Sequence, residues 1–192
     1  MLIMKKHIIT LGGLPGSGKS TVKRILAQKF GYNTFSTGDF VRDMAAERNM
    51  TLEEFNDLVA HDKSLDEMID ERLEQIESEE NEYIIDSHLA FHFVPSAFSV
   101  FLNISPEKSA ERIFNDASAP SRIKSGDIMS TYEEALERTQ RRIANHEDRY
   151  MRHYGINPYH KEKYLFTIDT ENKTAEEVAE EVAQAYSTWL GE

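Results

Sequence analysis

Residues 13 to 20 read Gly13-Leu14-Pro15-Gly16-Ser17-Gly18-Lys19-Ser20, a complete G-x-x-x-x-G-K-[ST] pattern, with Thr21 following it. On the N-terminal side, His7-Ile8-Ile9-Thr10-Leu11-Gly12 has the β-branched, apolar character of a buried strand. On the C-terminal side, Thr21-Val22-Lys23-Arg24-Ile25-Leu26-Ala27 repeats its apolar residues at helical spacing. The pattern therefore occupies a strand-to-helix loop, a context that a chance glycine-rich turn would lack. Glycines there let the backbone turn tightly and aim successive N–H groups inward, where a phosphate also meets the positive end of a helix dipole. Lys19 adds a mobile charge for β- and γ-phosphates, and the Ser20 hydroxyl suits Mg²⁺. Residues 13 to 21 are thus expected to hold a nucleoside triphosphate with its metal.

The 192 residues suit one domain, expected to span 1–192, that buries roughly 70% of the surface its unfolded form exposes. A hydrophobic share of 40% and a charged share of 29% describe a globular chain. With no cysteine there is no disulfide, no thiolate nucleophile and no Cys-type zinc site, and a cytoplasmic location is expected. The apolar stretch after Lys5-Lys6 runs straight into the phosphate loop, so it is not read as a signal peptide. No run approaches the ~20 apolar residues that span a bilayer, and a membrane partner is not expected. A net charge of −12 argues against duplex nucleic acid and favours a monomer. A nucleotide is also an anion, so its site must be locally basic.

Positive charge does cluster, at Arg112, Arg122, Lys124, Arg138, Arg141, Arg142, Arg149 and Arg152. Interleaved Glu133, Glu134, Glu137, Glu147 and Asp148 allow the plainer reading of a solvated helix face. Apolar runs alternate with helical patterns along the chain, which predicts βαβ units and a parallel sheet of five strands. Strands are expected at 33–36, 83–86, 99–103 and 164–169 besides the first. Helices are expected at 39–48, from the Thr51-Leu52-Glu53-Glu54 capping box toward Val59, at 65–77, at 107–115 after Ser105-Pro106, at 131–154 before Gly155, and from Thr174 to Trp189. Residues 116–130 lack a clean period and read as a loop or flap. The ligand belongs beyond the carboxyl ends of the strands.

A phosphate loop leaves the fate of the γ-phosphate open. A GTPase would want N-K-x-D, and Asn172-Lys173-Thr174-Ala175 lacks the aspartate. A motor or AAA-type ATPase would want an acid pair after its apolar strand, yet Asp86 is followed by Ser87-His88. A small-molecule kinase must bind an acceptor beside the γ-phosphate and exclude water. Ser36-Thr37-Gly38-Asp39-Phe40-Val41-Arg42, directly after the second strand, offers hydroxyls and a guanidinium for that task, while also reading as a helix N-cap. His146, His153 and His160 show no metal-ligand spacing and read as structural or surface residues.

Taken together, Gly13 to Thr21, Ser36-Thr37-Gly38-Asp39 with Arg42, Met50 to Phe55, Asp86-Ser87-His88-Leu89-Ala90, and Arg149-Tyr150 leading to Tyr154-Gly155-Ile156 resemble the archaeal-type cytidylate kinases over nearly the whole chain. The resemblance implies a three-layer αβα P-loop fold with a five-stranded parallel sheet in the order 2-3-1-4-5. It also implies a helical region for the monophosphate at about 37–80 and a short lid at about 115–131. The implied reaction is phosphoryl transfer from ATP, with Mg²⁺, to CMP or dCMP. AMP, UMP or a nucleoside as acceptor, and a regulatory module that binds ATP without turnover, are the alternatives. Carried onto this sequence, Lys19, Arg112, Arg142 and Arg149 serve catalysis, and Ser20 and Asp86 serve the metal. Ser36, Thr37, Asp39, Arg42, Asp86 and His88 serve the acceptor, with Arg122 and Lys124 as further flap candidates. Two departures stand out: His88 takes a place where the family commonly has arginine, and residues 115–130 are longer than the family's lid.

Overall fold

The computed structural model describes residues 5–51, 54–55, 64–78, 82–116 and 130–191. Strand β1 (Ile8–Gly13) is buried along its whole length, as its apolar sequence demands, and lies at the centre of a five-stranded parallel sheet. The other strands are β2 (Asn33–Ser36), β3 (Tyr83–Asp86), β4 (Phe98–Asn103) and β5 (Phe166–Asp169), in the spatial order β2-β3-β1-β4-β5. Because successive side chains point to opposite faces, β1 contributes to two cores. Ile9 and Leu11 pack with Val22 and Leu26 of helix α1 (Lys19–Phe30) and with Val178, Val182 and Tyr186 of helix α7 (Ala175–Leu190). Ile8 joins Ile85, Phe55, Val94 and residues Ile69, Leu73 and Ile76 of helix α3 (Ser64–Ser78) on the opposite face. The result is the three-layer αβα sandwich that the sequence predicts.

Register places the strand ends together. Leu11 of β1 pairs with Asp86 of β3, and Asp86 in turn pairs with Ser36 of β2. The phosphate loop, the acid that ends β3 and the start of helix α2 (Thr37–Glu47) consequently share one sheet edge. Local chemistry fixes the helix starts: Ser36, Ser105 and Thr131 each accept a first-turn backbone N–H through the side chain, and Thr174 with Glu177 closes a full capping box. These open α2, α5 (Pro106–Asn115), α6 (Tyr132–Tyr154) and α7. The box at Thr51 and Glu54 also forms, with Thr51 N–H donating to Glu54 Oε2 at 2.7 Å and Glu54 N–H to Thr51 Oγ1 at 3.2 Å. Its helix toward Val59, and Arg122 and Lys124 in the flap, lie outside the described residues.

Besides shifts of one or two residues at element ends and a 3-10 turn at Lys161–Lys163, two details differ from the sequence reading. A short helix α4 (Ala90–Phe93) follows β3, where the sequence offers too few residues for a visible period. The last strand begins at Phe166 instead of Tyr164, because the Tyr164 ring turns into the molecule, donates from Oη to the Pro158 carbonyl at 2.9 Å, and lies against Gly12. No helix among the described residues is long and apolar enough to cross a membrane. A Cβ at Gly12 would come within 2.6 Å of Tyr164 Cζ. Gly12→Ala is therefore expected to lower stability by about 1–3 kcal/mol through overpacking, measured by urea unfolding.

Candidate active site

The loop between β1 and α1 begins with Gly13 at φ 137°, where a side chain would press on the Leu102 carbonyl, and reaches Gly16 at φ 74°, against Ser109 of α5. Only glycine accepts both the left-handed backbone and the close approach. Ser109 Oγ donates to the Pro15 carbonyl, which ties α5 to the loop, while buried Leu14 and Pro15 anchor its outer wall. Gly18 caps α1 and leaves the first amides of the helix, near Lys19, Ser20 and Thr21, directed at the concavity. Lys19 Nζ donates to the Gly13 and Leu14 carbonyls, both at 2.9 Å. Burial pushes its amine below the ordinary lysine value, Asp86 offsets part of this, and Arg142 adds to it. Ser17 Oγ is buried without a hydrogen-bond partner among the described residues.

Across the sheet edge, Ser20 Oγ donates to Asp86 Oδ2 at 3.0 Å. Two hard oxygens beside a phosphate loop fit Mg²⁺, which takes few protein ligands and completes its shell with phosphate and water. No group of three or more His, Asp or Glu among the described residues forms a self-sufficient metal cage. Thr37 Oγ1 approaches the Asp86 carbonyl at 3.5 Å, and Ser36 Oγ accepts the Asp39 N–H at 3.3 Å. Asp39 joins two cations: Oδ1 accepts from Arg42 Nη2 at 2.5 Å and Oδ2 from Lys23 Nζ at 3.1 Å. Burial alone would raise the Asp39 carboxyl, but the hydrogen bonds from Arg42 and Lys23 outweigh it and hold the group below the usual aspartate value.

The third wall comes from α6. Arg142, His146, Arg149, Tyr150 and Tyr154 recur at helical spacing on it. Arg149 pairs with buried Asp66 of α3 and lies over the Tyr150 ring at 5.2 Å. Tyr154 Oη donates to Asp70 Oδ2 at 2.6 Å, and burial pushes the Asp70 carboxyl up to about 6. His88 packs on His146, with ring centroids 4.6 Å apart, and meets Tyr159 edge-on at 5.7 Å. His146 Nδ1 and Tyr159 Oη are 2.9 Å apart, whereas His88 Nδ1 is buried with no partner among the described residues. Burial depresses both imidazoles well below the ordinary histidine value. At His88 the repulsion of His146, Lys19, Arg142 and Arg149 adds to this, and at His146 that of Arg142, Arg149 and Lys19.

Lys19, Ser20, Asp86, His88, Arg142 and Arg149 thus form one electrostatic neighbourhood; Ser36 and Thr37 adjoin it through Asp86, and Asp39 with Arg42 is tied to α1 through Lys23. The Arg112 guanidinium donates to the carbonyls of Thr170 and Glu171, in the loop after β5. His146, read from sequence as structural, lies inside the neighbourhood with Tyr150 and Tyr159. The helical spacing from Arg142 to Tyr154 was the signal that could have shown it. Lys23 was hidden, since a lysine on an amphipathic helix reads as solvated.

The family described as AAA domain matches residues 9–179, although β3 ends in a single acid. A cytidylate kinase of Methanocella arvoryzae is 33% identical over 178 residues, covering 93% of this chain and 95% of that protein. An S-adenosylmethionine-dependent nucleotide dehydratase of Lacinutrix mariniflava is also 33% identical over 94% of this chain, which spans 36% of that longer protein. Among solved structures, a shikimate kinase from Bacteroides thetaiotaomicron superposes with a TM-score of 0.62 at 14% identity, covering 96% of this chain and 98% of that one. The last is a likeness of fold. Phosphate loop, acid-ended third strand and near-complete alignment with full-length relatives agree, and the chain belongs to the archaeal-type cytidylate kinase family of P-loop proteins.

Proposed function

We propose that this protein is a nucleoside monophosphate kinase that moves the γ-phosphoryl group of ATP to CMP or dCMP. The observation that carries the reading is the shared sheet edge: Ser20 bonds the Asp86 carboxylate, Thr37 approaches the Asp86 carbonyl, and Arg42 lies in the helix that Thr37 begins. Two anions held end to end across Asp86 have their reacting atoms adjacent. The relatives' names add support, since a cytidylate and a nucleotide are what they act on.

An oxygen of the acceptor's phosphate attacks the γ-phosphorus, the bond from that phosphorus to the β,γ-bridging oxygen breaks, and ADP leaves with the electron pair. The transition state is loose, so positioning and cations supply the catalysis. Amides of residues 13–21 and Lys19 hold the β- and γ-phosphates, Lys19 exchanging its carbonyl partners for phosphate oxygens. Ser20 and Asp86 would hold Mg²⁺, which would supply positive charge against that building in the transition state. Ser36, Thr37 and Arg42 grip the acceptor's phosphate, and Arg42 leaves its single contact with Asp39 to do so. Arg142 and Arg149 approach the transferring group from α6, and Arg149 exchanges Asp66 for it. Arg112, beside the loop after β5, serves the donor nucleotide's base side. His88 and His146 are uncharged at neutral pH and offer hydrogen bonds without a bidentate fork. The lid is the segment at about 115–131, most of which lies outside the described residues, and one catalytic unit, monomeric and cytoplasmic, performs the reaction.

Three outcomes are expected. Lys19→Ala lowers kcat by at least ~10³-fold with folding retained, by analogy with loss of one preorganised oxyanion donor. Arg42→Ala raises KM for CMP by roughly 10²-fold and leaves that for ATP nearly unchanged, a loss of one bidentate phosphate contact. Coupled assays of ADP release across AMP, CMP, dCMP and UMP measure both, and an absence of acceptor-dependent turnover with all of them overturns the assignment. The third concerns pH. Both histidines titrate lower in the folded chain than in the unfolded one, so the folded form binds fewer protons below the unfolded value of about 6.5. Stability contributed by the neutral pair is complete above that value and is lost as pH falls through it. Lowering the pH from about 7.5 to 5.5 should destabilise the wild type relative to His146→Gln, as read by urea unfolding.

A further inference from the structure

Lys23 follows Lys19 by one helical turn, so both project from the same side of α1. Lys19 turns to the phosphate loop. Lys23 lies buried against α2 and spends its amine on one oxygen of Asp39, while Arg42 takes the other. An arginine beside a lone carboxylate tends to engage both oxygens, because the planar guanidinium matches that fork. Here Oδ2 is already occupied, and Arg42 is left with a single-point contact. The lysine side chain is 11% exposed and that of Arg42 41%, which makes the lysine the fixed partner and the arginine the movable one.

We infer that Lys23 is a positioning residue of the acceptor site: by holding Asp39 it keeps Arg42 releasable to the acceptor's phosphate. The inference rests on the monophosphate kinase reading, in which Arg42 makes that contact. Two physical effects act in the same direction. With Oδ2 free, Arg42 would close a two-point ion pair that the phosphate must break. Without the ammonium, the Asp39 carboxylate would also stand uncompensated beside the incoming phosphate dianion. Both effects act on the acceptor's phosphate and weaken its binding. Lys23 itself need not touch the nucleotide, which distinguishes it from Lys19 and Arg42. The same amine links the helix that starts at the donor site to the helix that starts at the acceptor site.

The test is steady-state kinetics with ATP and CMP, joined by calorimetric titration of CMP, on wild type, Lys23→Met and Lys23→Met with Asp39→Asn. Lys23→Met is expected to raise both KM and Kd for CMP about tenfold, the scale of one altered charge-assisted contact, with kcat and the KM for ATP within about threefold. Adding Asp39→Asn should recover most of the lost affinity, because the carboxylate that locks Arg42 is gone. Lys23→Arg, which retains a cation for Asp39, should stay near wild type. Lys23→Gln replaces Lys23→Met if the latter unfolds early in a thermal melt. An unchanged CMP affinity in Lys23→Met overturns the inference, and so does a double variant no better than the single one, which would mean direct contact or simple packing. If the wild type neither binds nor phosphorylates any monophosphate, the functional reading fails first and this inference with it.

Discussion

Burial of cations is the constraint around which the site is arranged. Lys19, Lys23, Arg42 and Arg149 each give up part of their water, and each takes a protein acceptor in return: two loop carbonyls, a shared Asp39, and Asp66. A buried charge without such a partner would cost several kcal/mol. In the proposed reaction the acceptors also set what a phosphate must displace. Carbonyl oxygens and singly engaged carboxylates yield to a dianion more readily than a two-point ion pair does. A chain of net charge −12 can in this way hold a concentrated positive site, because each cation is matched locally and not by the protein as a whole.

Bringing those cations together is the work of strand register. Parallel pairing of Leu11 with Asp86 and of Asp86 with Ser36 brings two helix N-termini, those of α1 and α2, to one edge. Both cores hold that register in place, Ile9 and Leu11 toward α1 and α7, Ile8 and Ile85 toward α3. A slip of one residue would exchange the two faces of β1 and bury the wrong set. From the opposite side, α6 lays Arg142, His146, Arg149 and Tyr150 along the same edge. Its cross-links to α3, through Asp66 and Asp70, fix how far that face can stand from the sheet.

Much of this was legible in the chain. The run Ile8 to Gly13 is apolar and β-branched, the loop pattern has fixed chemistry, and Ser36, Ser105, Thr131 and Thr174 announce helix starts through hydrogen bonds made within four residues. The motif residues at 13–21, 36–42 and 86–88 are close in sequence to strand ends, so a strand assignment already places them at the ligand edge. Less legible were the residues whose role depends on a distant neighbour. Tyr164 reads as the first residue of a strand, yet the space above Gly12 draws its ring inward. His146 reads as a structural or surface residue of a charged helix, and only the fold shows that it meets His88 from fifty-odd positions away in the chain. Arg112 reads like any arginine on an amphipathic helix, and only the fold shows that its guanidinium is held by the carbonyls of the loop after β5.

Sequence by itself determined the elements, their parallel arrangement and the phosphate loop, because periodicity, capping and backbone freedom act over a few residues. Tertiary structure decided which charges share a carboxylate, which arginine stands beside Lys19, and which imidazoles are stripped of water. Those outcomes depend on distances and desolvation between segments remote in the chain, and a one-dimensional pattern carries neither.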